Sequence, residues 1–363
     1  MTPPVRRTHR SEYLRWVKRR APVRYDLARS GVARLPFDHL DLAPADITSV
    51  EPYDDGWRPV MASIAARHSL APECVVTTHG CSMANHIAFA AFVEPGDHVV
   101  LETPVYEPLT RLVEYFGARV IPVQRREENA WRLDPDDIRR AITPRTTLVV
   151  LSNLHNPTGA FEDDAALARI AEAAADAGAH VLADEVYLEF LHAEGVRTAA
   201  RIAPNVVATG SVTKAWGLDA LRFGWVIAEP ALADRIRRLD DLFAGSTAHP
   251  SARIARRAIE RSDEIIPASN ALLMRNLGIV DAFVRSHERL TWVRPRAGTC
   301  GLVRVDGIDV DVLADRLHRE REVAIVPGRF FEAPEHVRLS WSLATSDLQT
   351  ALARIGDAVD VLP

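Results

Sequence analysis

Lys214 sits in Gly210-Ser211-Val212-Thr213-Lys214-Ala215-Trp216-Gly217, directly after the apolar run Val206-Val207-Ala208. Lysines ordinarily occupy exposed helix faces. One set among small residues at the end of a buried strand tends to lose its proton, and a neutral amine there can form a Schiff base with an aldehyde. Other chemically able residues occupy similar places, each just after a short apolar run. His79-Gly80-Cys81-Ser82 follows Val75-Val76-Thr77-Thr78. A glycine turn entering a helix offers free backbone N–H groups and a positive dipole end to a phosphate. Cys81 there is read through its backbone N–H, with a thiol of lowered pKa as the competing reading. Tyr106, in Thr103-Pro104-Val105-Tyr106, could stack on a planar ring or simply pack. Asn156-Pro157-Thr158-Gly159 forces a sharp turn and presents the Asn156 amide; by itself it is a plain turn. Asp184, in Asp184-Glu185-Val186-Tyr187, ends another apolar run and needs a cationic partner or strong donors to stay ionised. A pyridinium N–H would serve, and a helix N-cap is the structural alternative. Arg222, eight residues beyond Lys214, suits a dianionic phosphate.

Each of these is ambiguous alone; together they specify a ligand. It has a phosphate (Gly80 turn, Ser211, Arg222), a ring nitrogen (Asp184), a ring hydroxyl (Asn156, Tyr187), a ring face (Tyr106) and an aldehyde (Lys214). Pyridoxal 5′-phosphate has all five features.

The elements that must position these groups follow from the hydropathy pattern. Seven short apolar runs begin at Val75, Val99, Val120, Leu148, His180, Val206 and Phe223, separated by helical stretches. Near-continuous apolar strands interleaved with helices predict an α/β fold, three layers with a mostly parallel seven-stranded sheet covered on both faces. In such a sheet ligands bind outside the carboxyl ends of the strands. Asp134-Pro135-Asp136-Asp137 predicts a capped helix start, and the alanine-rich stretch 162–177 a helix ending at Gly178. Stretches 231–242 and 263–289 read as further helices, the second long. Beyond Arg289 the texture changes to short strands at 292–293, 301–305, 323–326 and 337–340 around a helix at 311–321, a smaller α+β lobe. The expected division is residues 1–48 joining the small domain, 49–282 as the large cofactor domain, and 283–363 as the small C-terminal domain.

Composition bounds the alternatives. A formal net charge of −5 gives no global push toward nucleic acid or anionic membrane, and no apolar run approaches the roughly 20 residues of a membrane span. Neither a nucleic-acid nor a membrane partner is expected. Three cysteines without a Cys-x-x-Cys pair argue against a disulfide scaffold and a structural zinc site, and fit a cytoplasmic location. The first 24 residues are basic except for Glu12, with Tyr13, Leu14, Trp16 and Val17 at helical spacing. A short amphipathic helix docked on the body or on a partner subunit is expected; a targeting presequence is the other reading.

The order Gly80-Cys81-Ser82, Pro95-Gly96-Asp97, Pro104-Val105-Tyr106, Asn156-Pro157-Thr158-Gly159, Asp184-Glu185-Val186-Tyr187, Ser211-x-Thr213-Lys214 and Arg222 resembles the class I/II aminotransferases of fold type I, over roughly residues 25–345. The resemblance implies a phosphate site at Gly80, Cys81, Ser82, Ser211, Thr213 and Arg222, and a catalytic set of Lys214, Asp184 and Tyr187. It implies a homodimer with shared active sites, to which Tyr53, and Ser246 or Thr247, would contribute at the neighbour's phosphate. Arg338, in Val337-Arg338-Leu339-Ser340, matches the arginine that clamps the substrate α-carboxylate in that family, as a planar guanidinium would. Asn156 and Gly31 join it as substrate-binding candidates.

The activity implied is transfer of an amino group between an amino acid and a 2-oxo acid, Lys214 acting as anchor and as base on Cα. The same constellation serves C–S lyases, decarboxylases, cyclases and racemases, because the chemistry branches after Cα deprotonation. An amino-acid sensor is a further alternative, and a segment of about 50 residues before the core is short for an added DNA-binding domain. Trp16, Tyr25, Ser30 and His155 are open pocket candidates. Arg304 and Arg329 would recognise an acidic side chain or be surface charges. No metal is expected: His192-x-Glu194 lacks the cysteine pair of a zinc deaminase, and Asp306-x-x-Asp309-x-Asp311 lacks the glycine and glutamate of a calcium loop.

Overall fold

The protein is described by a computed structural model covering residues 10–48 and 57–362; Tyr53 lies outside the described residues. In chain order the strands are β1 (Tyr25–Asp26), β2 (Val75–Thr78), β3 (His98–Thr103), β4 (Arg119–Gln124), β5 (Thr146–Ser152), β6 (His180–Asp184), β7 (Val206–Ser211), β8 (Gly224–Ile227), β9 (Leu290–Thr291), β10 (Cys300–Val305), β11 (Val323–Ala324), β12 (Val326–Pro327) and β13 (His336–Ser340). β2 to β8 form one seven-stranded sheet in the order β2-β8-β7-β6-β5-β3-β4. All seven match the apolar runs read from the sequence. Only β8 runs against its neighbours, pairing antiparallel with β2 and β7.

Each strand of the sheet's middle is buried throughout or nearly so, as a sheet covered on both faces requires. Helix Asp164–Asp176 lays Leu167, Ile170, Ala171 and Ala174 on one face against Val149, Leu151 and Val181. Asp163 caps it by accepting from the Ala166 N–H, and Gly178 at φ 70° ends it. Helix Pro135–Ala141 starts as its sequence requires, with Asp134 accepting from the Asp136 N–H.

The remaining strands are short. β12-β13-β10-β9 form a four-stranded antiparallel sheet, and β1 pairs in parallel with β11. The expected strand at 292–293 lies two residues earlier, at Leu290–Thr291, and the run 323–326 is divided between two sheets. The stretch read as one helix at 263–289 is Ser262–Arg285, with Pro267 inside it. Helices His249–Glu260 and Thr345–Val361 were not anticipated. The exposed face of the first carries Arg256 and Arg257, and the second buries Leu348, Ala351, Leu352, Ile355 and Val359 on one face.

Topology places the site. Because only β8 is reversed, the carboxyl ends of β2, β3, β5, β6 and β7 lie on one edge, and the amino end of β8 joins them. That edge therefore receives Gly80, Tyr106, Asn156, Asp184 and Lys214, together with Arg222 just before β8.

Candidate active site

A cavity of about 540 Å³ opens at this edge. Cys81, Ser82, Tyr106, Asn156, Asp184, Tyr187, Ser211, Thr213, Lys214 and Arg222 all line it. Ten residues expected from six separate stretches of sequence thus share one wall. Gly80 and Gly31 lie just behind it, and Arg338 is wholly buried beside it.

Gly80 has φ +82°, a backbone conformation that disfavours any side chain, and a Cβ on it would stand 2.7 Å from Nη2 of Arg222. Its lack of a side chain is what lets the guanidinium cover the turn. The adjoining helix Cys81–Phe92 begins there, so its unpaired N–H groups and the Arg222 cation converge. Gly224 presses on the other side, where a Cβ would meet the carbonyl carbon of Gly80 at 2.6 Å.

Asp184 ends β6 with both oxygens occupied. Asn85 Nδ2 donates to Oδ2 at 2.8 Å, and the Val186 N–H to Oδ1 at 3.2 Å. The Cys81 thiol lies 3.5 Å from Oδ1. Burial pushes the carboxyl pKa up, and these donors oppose it. Thr209 Oγ1 in turn donates to Asn85 Oδ1 at 2.6 Å, which fixes the orientation of the Asn85 amide. Asn85 was missed by sequence reasoning. The available signal was Asn85, with His86 one of two polar residues in Ala84-Asn85-His86-Ile87-Ala88, four residues after Cys81 and so on the same helix face.

Lys214 Nζ donates to Ser30 Oγ at 2.7 Å and lies 6.0 Å from the Tyr187 ring centre. Burial first, then the Arg338 charge, lowers its pKa from 10.5 to about 8. The lysine suspected from its setting does hold its proton weakly. Gly31 packs behind its stem, a built Cβ standing 3.5 Å from Lys214 Cδ. Tyr187 donates its hydroxyl to the Ser30 carbonyl at 2.8 Å, so it orients the Ser30-Gly31 turn.

Arg338 Nη1 donates to Asn156 Oδ1 at 3.1 Å, while Nη2 donates to Tyr13 Oη at 2.9 Å and to the Ala28 carbonyl at 3.0 Å. Its Nε has no partner among the described residues. Behind the Asn156 turn, Glu102 accepts from both the backbone N–H and the hydroxyl of Ser152 at 2.7 Å and is paired with fully buried Arg125 at 2.7 Å.

Chain similarity decides what this cavity belongs to. Residues 60–355 match the family described as aminotransferase class I and II. The chain belongs to that family. It is 30% identical over 356 residues to the capreomycidine synthase of Streptomyces vinaceus, covering 94% of this chain and 92% of that one. It is 28% identical over 313 residues to the arginine–pyruvate transaminase of Pseudomonas aeruginosa, covering 83% and 80%. Among solved structures, a PLP-dependent aminotransferase from Streptococcus suis superposes with a TM-score of 0.89 at 26% identity, covering 98% of both chains.

The aminotransferase is thus a pyridoxal-phosphate-dependent enzyme of fold type I. Its cavity fits that cofactor on its own terms. The cradle at Gly80 is one that a Cβ would fill, a buried carboxylate stands ready for a ring N–H, and a weakly basic amine faces the space between them.

Several other expected residues lie elsewhere. Ser30 lines the cavity, whereas Trp16 packs on Phe330 at 5.5 Å and Tyr25 is buried in β1. His155 is buried, bonded to Thr158 Oγ1 at 2.6 Å and to the Pro104 carbonyl at 2.9 Å. Arg304 and Arg329 pair with Asp306 and Asp311 at the surface, the commoner fate of arginine. Ser246 and Thr247 line a separate small cleft with Trp57 and Asp240. Among the described residues no cluster of three or more metal-ligating side chains occurs, and no helix is long and apolar enough to cross a membrane.

Proposed function

We propose that this aminotransferase binds its cofactor through the Gly80–Ser82 turn, Ser211, Thr213 and Arg222, and uses Lys214 as covalent anchor and proton carrier. The observation that carries this reading is the convergence of Lys214, Asp184 and the Gly80–Arg222 cradle on one cavity. Bound there, pyridoxal phosphate supplies an aldehyde for amines to condense with and a protonated ring that accepts the electron pair left at Cα. Asp184, fixed by Asn85, holds the ring nitrogen's proton. Tyr106 would cover a ring face, and the Asn156 amide would donate to the ring oxygen. Tyr187 supports this arrangement through Ser30. Arg338 and Asn156 bind the substrate carboxylate and so orient the Cα–H bond. Lys214, whose amine is half deprotonated at about pH 8, would take that proton and return it to a different carbon. Gly31 leaves room for its stem to move.

Single-turnover analysis with one amino acid and no acceptor tests the reading. Transamination predicts loss of the visible cofactor band with one equivalent of 2-oxo acid. Return of the band with a cyclised product, or with an eliminated thiol and ammonia, would favour a cyclase or lyase. The similarity to capreomycidine synthase is the observation that keeps this second reading in view.

The chain is further proposed to act in the cytoplasm as a homodimer with shared sites, divided into residues 1–48 and 283–363 as small domain and 49–282 as large domain. Exposed Leu242 (78%) and Phe243 (52%), beside the cleft of Ser246 and Thr247, support a subunit contact there. Sedimentation showing a monomer at micromolar concentration would remove the shared-site part of the proposal.

A further inference from the structure

The N-terminal helix Glu12–Arg19 is fastened to the cofactor edge by one carboxylate. Glu107, the residue after Tyr106, accepts from Ser11 Oγ at 2.5 Å and from the N–H groups of Glu12 and Tyr13 at 3.0 and 2.8 Å. Despite its burial, these bonds hold its pKa below the usual value. The anchored helix turns Tyr13 inward, edge-on to Tyr106 at 5.9 Å and against Phe331 at 5.4 Å.

The Tyr13 hydroxyl then meets Arg338. A guanidinium has five N–H groups. Arg338 commits both on Nη2, to Tyr13 Oη and the Ala28 carbonyl, and one on Nη1 to Asn156. The arginine is 0% exposed, Tyr13 and Asn156 beside it line the cavity, and its Nε–H has no partner among the described residues. Tyr13 Oη accepts from the arginine, and its own proton has no acceptor among the described contacts.

We propose that the Tyr13 hydroxyl is a substrate-binding group, which donates its proton to the α-carboxylate of the amino acid beside Arg338, whose cation also polarises the hydroxyl. The proposal rests on the cofactor site described above, and it makes the N-terminal helix part of that site. A donor bonded to a cation is a stronger donor to an anion, so the pair recognises a carboxylate and rejects its neutral amide.

Two small oxyamines test this with the holoenzyme and need no knowledge of the natural substrate. In both, the oxyamine nitrogen replaces the Lys214 amine on the cofactor aldehyde carbon, the lysine leaving with its proton restored. Aminooxyacetate carries a carboxylate and methoxyamine does not. Rates of loss of the visible band are measured for wild type and Tyr13→Phe, which keeps the ring packing. Wild type is expected to prefer aminooxyacetate. Tyr13→Phe is expected to lower that preference about tenfold, the worth of a hydrogen bond to a charged group, with the methoxyamine rate unchanged. An unchanged preference, or an equal loss with both probes, overturns the proposal. A wild-type protein that never acquires the visible band sinks the cofactor reading itself, a result distinct from either.

Discussion

The two halves of the cavity are built differently. The cofactor half comes from consecutive strand ends of one sheet: Gly80, Asp184, Ser211 and Lys214 each follow an apolar run, and one reversed strand brings Arg222 to the same edge. The substrate half is assembled from remote pieces. Tyr13 and Arg338 touch although 325 residues separate them, and the turn at Ser30 reaches Lys214 across 184. The first half is rigid by topology, since moving any group means moving a buried strand. The second depends on a helix of eight residues held through Glu107 and the packing of Tyr13 and Trp16 on Phe331 and Phe330.

Variants in the two halves should therefore fail in different ways. Lys214→Ala is expected to show the largest loss, a fall in turnover of about 10⁴-fold, the upper end for a positioned base, with no stable visible band. Arg338→Ala should raise KM for amino acids by roughly 10²-fold while the band survives, since two charge-assisted bonds go and the cofactor contacts stay. Gly80→Ala should do the reverse. Its Cβ displaces the Arg222 guanidinium, so cofactor affinity should fall about tenfold and KM measured at saturating cofactor should hold. A KM effect from Gly80→Ala, or loss of the visible band from Arg338→Ala, would break the division. Smaller still, Glu107→Gln should cost about 1 kcal/mol of stability, as lost helix caps do, and raise KM a few-fold with an unchanged visible band.

The pH dependence sharpens the same contrast. Lys214 must be neutral to attack the aldehyde, and its pKa stands at about 8 under burial and the charge of Arg338, opposed by Asp184, Cys81 and Cys300. Capture of pyridoxal phosphate by apoprotein should accelerate as pH rises from 7 to 9, with a midpoint near 8. Arg338→Ala removes the second of the lowering causes and should move that midpoint upward. A midpoint near 10.5 in the wild type would mean the amine is not perturbed.

What was legible in the sequence follows the same line. Strand ends of a parallel sheet announce themselves through short apolar runs, so β2 to β8 and their following turns could be read, with the ligand they imply. Asn85 was not, because its role comes from a helix face meeting the end of β6, a contact between elements rather than a pattern within one. Tyr13 was visible as an apolar position of a docked helix, but nothing local pairs it with Arg338. Arg125 was not singled out, because its burial between Glu102 in β3 and Glu162 just before helix Asp164–Asp176 depends on two other elements. Losing one member of that group would leave an uncompensated buried charge.

The central claim is that one lysine anchors the cofactor and carries the proton. Reduction of the holoenzyme with borohydride, followed by proteolysis and mass mapping, tests it most directly. The account predicts stoichiometric pyridoxyl label on the peptide containing Lys214, bleaching of the visible band, and no label in Lys214→Ala. Label on Lys18, or none on any lysine despite a bleached band, would contradict it.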